Sequence, residues 1–97
     1  MKQRKYIERA VCKHFKVDID KVYTARKSVY PYNGAKLALM YLLYKNGYKS
    51  YDIAKWFGFN PTLVYRYCGA VNVALKSDTK IKEDIESIEK LLTSKNQ

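Results

Sequence analysis

Between Ser50 and Ala74 the chain reads SYDIAKWFGFNPTLVYRYCGAVNVA, an order that leaves room for little except helix, tight turn and helix. Ser50 is placed to cap a helix, its hydroxyl accepting from the first free N–H groups. Ile53, Ala54 and Phe57 then give one narrow apolar face. Gly58 stops that helix, because glycine enters the left-handed conformation at little cost. Asn60 is the next cap, and Pro61 sits at the first helical position, where a missing N–H is harmless. Val64, Cys68, Val71 and Leu75 recur at helical spacing along a second helix, which takes the stretch to about residue 75. Two short helices joined by a few residues with a glycine form a helix-turn-helix signature. The exposed start of its second helix is where base contacts would be made, and here it offers Asn60, Thr62, Leu63 and Arg66.

The rest of the chain is helical in pattern. From Gln3 to about Phe15, Ile7, Ala10, Val11 and Phe15 share a face, with His14 beside it. Arg4, Lys5, Arg9 and Lys13 take the other side. Lys16-Val17 is a break, after which Asp18 or Asp20 can cap a short helix carrying Ile19, Val22 and Tyr23. TARKSVYPYNGA is a loop by its Pro31, Asn33 and Gly34, made basic by Arg26 and Lys27. A helix over roughly Asn33 to Asn46 carries Leu37, Ala38, Tyr41 and Leu42. It is apolar nearly all round, which predicts the central buried helix. Asn46-Gly47 ends it. Ser77 or Asp78 is expected to cap a closing helix over about 78–93, with Ile81, Ile85, Ile88 and Leu92 inside and Glu83, Asp84, Glu86 and Glu89 outside. No period-two alternation survives anywhere. The expectation is an all-α, single compact domain of about six helices, spanning 1–97.

Charge narrows the partner. Lys plus Arg is 19 against 9 acidic residues, a formal net of +10. Residues 1–76 hold 15 basic and 4 acidic residues, a net of +11, and residues 77–97 hold 4 and 5, a net of −1. A polycationic body points to a polyanionic partner. Cys12 and Cys68 are too few for a disulfide scaffold and read as free thiols of a reducing compartment, so a cytoplasmic location is expected. The longest apolar run, Leu37 to Tyr44, is far short of the roughly 20 residues a membrane span needs. His14, Cys12 and Cys68 lack metal-ligand spacing, so no metal or other cofactor is expected. With one histidine and no nucleophile motif, an enzyme is not expected.

Taken in order, these elements resemble the C-terminal DNA-binding domain of the bacterial replication initiator DnaA, over about Ile7 to Leu92. FKVDIDKVYTARK is similar to that domain's short helix and basic loop. AKLALMYLLYKN is similar to its "A-R-x-x-A-M-Y-L" helix, with Met40, Tyr41 and Leu42 in place. SYDIAKWFG is similar to "S-x-x-x-I-G-x-x-F-G", with Ser50, Ile53, Phe57 and Gly58 matching. The resemblance implies a Trp-repressor-like helix-turn-helix that binds double-stranded DNA in replication or its regulation. The family's following "G-R-D-H-T-T-V" reads FNPTLV here, one residue shorter. Val64 and Thr62 align with the Val and first Thr, and Asn60 with the capping Asp. Pro61 replaces the His, Leu63 the second Thr, and Phe59 the base-reading Arg. Recognition of the initiator's own box therefore does not carry over.

The expected contacts follow. Arg66 is the candidate base reader, since its planar fork suits guanine. Lys49, Ser50 and Lys55 are candidate phosphate contacts, and Arg26 and Lys27 lie in the loop that in the family reaches the minor groove. Asn60, Pro61, Thr62 and Leu63 stand at the recognition-helix start. Two other readings remain. Phe59, Pro61 and Leu63 could form an apolar tip for a replication or transcription protein; acidic neighbours would favour that, and basic ones DNA. With ten tyrosines many must be partly exposed; Tyr44, Tyr48, Tyr51, Tyr65 and Tyr67, most expected as core edge with ring buried and hydroxyl wet, could bind single strands if they gather on one basic groove.

Overall fold

Each apolar stripe becomes a helix face turned inward. The computed structural model describes residues 3–24, 31–77 and 79–94. It contains α1 (Arg4–Phe15), α2 (Ile19–Thr24), α3 (Tyr32–Lys45), α4 (Ser50–Phe57), α5 (Pro61–Ala74) and α6 (Lys80–Ser94), with no strand among the described residues. α3 packs against all five other helices. Its Ala35, Ala38, Leu39, Met40, Tyr41, Leu42 and Leu43 are all buried. A helix covered on every side has no need of a polar face, which is why its sequence has so little amphipathic contrast. The radius of gyration is 12.3 Å, close to the about 12.5 Å typical of a compact domain this long.

The other helices cover α3 with single faces. α1 buries Ile7, Ala10, Val11 and Phe15. α5 buries Val64, Cys68 and Val71, and α6 contributes Ile85, Ile88 and Leu92. Helix ends follow local chemistry. At Gly47 (φ 101°) the chain leaves α3, and the Tyr48 N–H donates to the Leu43 carbonyl at 3.1 Å. At Gly58 (φ 73°) the same motif recurs, with the Phe59 N–H donating to the Ala54 carbonyl at 2.8 Å. Both are left-handed caps that satisfy otherwise orphaned carbonyls.

Four expectations need correcting. Ser50 does not cap α4: Lys49 holds the extended N-cap position, and Ser50 is buried as the first helical residue. α6 is capped by Thr79, whose Oγ1 accepts from the Lys82 N–H at 3.2 Å, rather than by Ser77; Asp78 lies outside the described residues. Asp84 is not on the outer side of α6. It falls within the apolar arc, one turn after Ile81 and one before Ile88, and is 2 % exposed. Its Oδ1 meets His14 Nε2 of α1 at 2.7 Å, so a partly buried polar bond joins α1 and α6. Arg4 is not a free surface cation either. Its Nε donates to Glu8 at 2.9 Å and to the Tyr23 hydroxyl at 3.3 Å. Its guanidinium lies 3.8 Å over the Trp56 ring. α1 is thereby tied to α2 and α4, and a stacked guanidinium is a favourable way to hold such a junction.

Candidate nucleic-acid interface

The turn between α4 and α5 is locked by local hydrogen bonds. Asn60 is extended, and its Oδ1 accepts from the Thr62 N–H at 2.8 Å. Pro61 occupies the first position of α5. With Val64, Cys68 and Val71 held in the core, helical geometry turns Thr62, Arg66, Gly69 and Val73 outward along one stripe. All four are exposed. Lys76 continues the same side just beyond the helix and is exposed as well. A Cβ built on Gly69 would meet nothing within 4 Å, so this face is open.

Two depressions flank that stripe. One, of about 770 Å³, lies at the C-terminal end of α4. Lys55, Trp56, Gly58, Phe59, Lys36 and Tyr67 are among its lining residues. The other, of about 640 Å³, lies at the N-terminal end of α4 and is lined by Tyr44, Gly47, Tyr48, Lys49, Ser50, Tyr51 and Tyr65. No carboxylate lines either one. Residues 21–77 carry nine Lys and Arg against a single acid, Asp52. Other carboxylates are engaged elsewhere: Glu8 by Arg4 and Tyr23, Asp84 by His14, and Glu89 by Lys45 at 2.6 Å.

The expected contact residues divide accordingly. Thr62 and Arg66 share the outward stripe of α5. Lys49 and Lys55 are exposed at opposite ends of α4. Asn60 is exposed, but its side chain is used as the cap, while Pro61 and Leu63 are half-buried. Ser50 is buried, which leaves its side chain little surface for a phosphate. Arg26 and Lys27 lie outside the described residues. Phe59 is not a protruding tip. Its ring stacks on Phe57 at 5.9 Å, tilts against Tyr67 at 5.9 Å and has Lys36 Nζ 5.4 Å above it.

Chemistry-bearing groups are otherwise sparse. Among the described residues, no group of three or more His, Cys, Asp or Glu could hold a metal ion. Cys12 and Cys68 are free. Burial pushes the Cys68 thiol up to about 11, far from a reactive thiolate. Burial, and then the hydrogen bond to Glu8, push the Tyr23 hydroxyl upward as well. No described helix is long and apolar enough to cross a membrane.

Sequence reasoning left the gathering of tyrosines open and favoured core edge for most of them. Tyr51 is 69 % exposed, Tyr65 56 % and Tyr44 40 %, so these three are not core edge. Their spacing carries no helical phase, because the turn at Gly47 separates Tyr44 from Tyr51 and a second helix supplies Tyr65. Only Tyr65 had a local signal, its position next to Arg66 on the edge of the α5 stripe. No protein-family model and no curated protein sequence matches this chain.

Proposed function

We propose that this chain is a double-stranded DNA-binding protein that lays α5 in the major groove, in the manner of the replication-initiator domain its sequence resembles. The observation that carries the reading is the outward stripe of α5: exposed Thr62 and Arg66, an open Gly69, and no acid between Asp52 and Asp78. A helix-turn-helix places such a stripe against base edges while the neighbouring helix meets the backbone. Lys49 and Lys55 stand at the two ends of α4 to neutralise phosphates on either side. Arg66 reads a base edge, and Thr62 contacts base or phosphate at the first turn. In this reading the protein is a binding module, not an enzyme, and acts in replication or its regulation.

The rival, an apolar tip docking a replication or transcription protein, draws less support. Phe59 is packed between Phe57 and Tyr67 under Lys36, and its surroundings are basic.

The test is an anisotropy titration with a random-sequence duplex and with a duplex carrying the initiator box, each at low and moderate salt. If about six phosphates are neutralised, affinity falls roughly 10³-fold between about 50 and 200 mM salt. Binding to both duplexes with that slope is the expected result. A flat salt response, or no binding at low salt, overturns the reading.

A further inference from the structure

Among the described residues, four large apolar side chains stand exposed, and three of them are Tyr44, Tyr51 and Tyr65. They line one open cleft, joined by Tyr48 and Lys49. Three elements and a turn build it: the end of α3 gives Tyr44, the turn gives Tyr48, the start of α4 gives Tyr51, and the first turns of α5 give Tyr65. The Tyr44 and Tyr65 rings meet edge to face at 5.8 Å. Tyr48 meets the Trp56 ring at 5.8 Å, and Trp56 lies under the Arg4 guanidinium. One wall of the cleft is thus braced on the core junction, while Tyr51 and Tyr65 present ring surface to solvent.

Packing does not account for rings left this open, since a ring held for the core is covered by it. The chemistry of the lining selects the occupant. Its large side chains are all tyrosines, its one charged group is Lys49, and no aliphatic side chain or carboxylate lines it. Asp52, beside Tyr51 in sequence, is exposed but is not part of the lining. Exposed aromatic faces next to a cation suit nucleobases joined by phosphates, because every base offers a π-face. Bases in a duplex keep those faces stacked on each other, so only unpaired bases can use them. We propose that this cleft is a stacking site for unpaired nucleobases of a single strand, with Tyr51 and Tyr65 as the platform and Lys49 at the phosphate. The duplex reading of α5 shares Lys49 with this cleft but leaves the rings idle, so variants of Tyr51 and Tyr65 test the stacking site apart from duplex binding.

The experiment is an anisotropy titration of labelled oligo(dT) and oligo(U) of about 12 nucleotides, a length within the site sizes of single-strand binders. A blunt random duplex is titrated in parallel, with wild type, Tyr51→Leu, Tyr65→Leu, Tyr51→Phe and Tyr65→Phe. Circular dichroism confirms that each variant is folded; both rings are largely exposed, so the folds should hold. The expected result is wild-type binding to the single strands, weakened on the order of 10-fold by each Leu variant, kept by each Phe variant, and little change on the duplex. Preference for oligo(dT) or for oligo(U) would assign the strand as DNA or RNA. Failure of wild type to bind either strand at low salt overturns the proposal. Equal losses in the Phe and Leu variants overturn it too, since hydroxyls rather than stacking would then hold the strand. So does sedimentation showing a dimer that Tyr51→Leu dissociates, because a second copy would then fill the cleft.

Discussion

At the scale of single residues, position on a helix decides which side chains are available for recognition. Arg66 and Lys55 carry the same charge yet stand in different places. Arg66 shares the α5 stripe with Thr62, whereas Lys55 borders the depression at the end of α4. Arg66→Ala should weaken duplex binding and relax preference at one base pair, by about 1–3 kcal/mol of discrimination. Lys55→Ala should weaken all sequences alike and lower the salt slope by about one. A binding titration over single-base variants of a selected site separates the two, and identical profiles would refute the division of roles. The thiols make a second prediction. Cys68 is buried against α3, where its Sγ donates to the Met40 carbonyl at 3.9 Å, while Cys12 is half-buried. Alkylation followed by mass spectrometry at mildly alkaline pH should label Cys12 first and Cys68 only on unfolding. Cys68 ionises near 11 in the folded protein against an ordinary 9.0. The unfolded chain therefore loses this proton first as pH rises. The sign is a loss of stability from about pH 9 to 11, with none below, on the order of 2 kcal/mol from this group. Cys68→Ala should flatten that part of the stability–pH curve.

At the scale of elements, the α4–α5 turn is specified by the left-handed Gly58 and the Asn60 cap, with Phe59 packed beside them. Gly58 adopts a φ of 73°, and an added Cβ would meet no atom within 4 Å. Gly58→Ala therefore costs only the left-handed conformation, about 1 kcal/mol. In a domain this small that lowers Tm by about 4–8 °C. Calorimetry should show that shift with duplex binding at low temperature retained, since a methyl added at Gly58 meets no neighbouring atom and leaves the turn's backbone hydrogen bonds in place. A drop much larger than this would mean the turn is under other constraints. The element is legible in the sequence for the same local cause. Gly58, Asn60 and Pro61 each act within a few residues of their own position, and the structure places each as its local chemistry requires. Ser50 was misread because Lys49, with no capping side chain, takes the extended position one residue earlier.

At the scale of the whole molecule, two polar junctions hold the outer helices to each other around α3. One is the cluster of Arg4, Glu8, Tyr23 and Trp56, and the other is His14 with Asp84. Asp84 is almost fully buried, and Lys80 approaches it at 3.6 Å in addition. Asp84→Ala removes the protein partner of His14 at the α1–α6 contact. It should cost about 2–3 kcal/mol in urea unfolding, at unchanged m-value. Glu86→Ala, on the exposed side of the same helix, should stay within about 0.5 kcal/mol. If the two variants were alike, the buried pair would contribute nothing to joining α1 and α6. The charge of the molecule is also divided at this scale. Exposed Glu83 and Glu86 sit on α6, while residues 21–77 carry nine Lys and Arg against a single acid.

The sequence by itself determined what depends on near neighbours: the all-helical class, six helices, the central place of α3, the buried faces of α1 and α5, and the turn before Pro61. Each is a consequence of helical period or of a cap acting over a few residues, and no distant contact is needed to read it. Only the tertiary structure decided which polar groups meet across elements. Asp84 looked like one more surface acid until α1 brought His14 to it, and Arg4 looked free until α2 and α4 closed over it. The tyrosine cleft belongs to the same class, because its rings come from three helices and a turn whose phases are unrelated in the chain. Their convergence is fixed by how α3, α4 and α5 pack, and packing geometry leaves no period in a sequence.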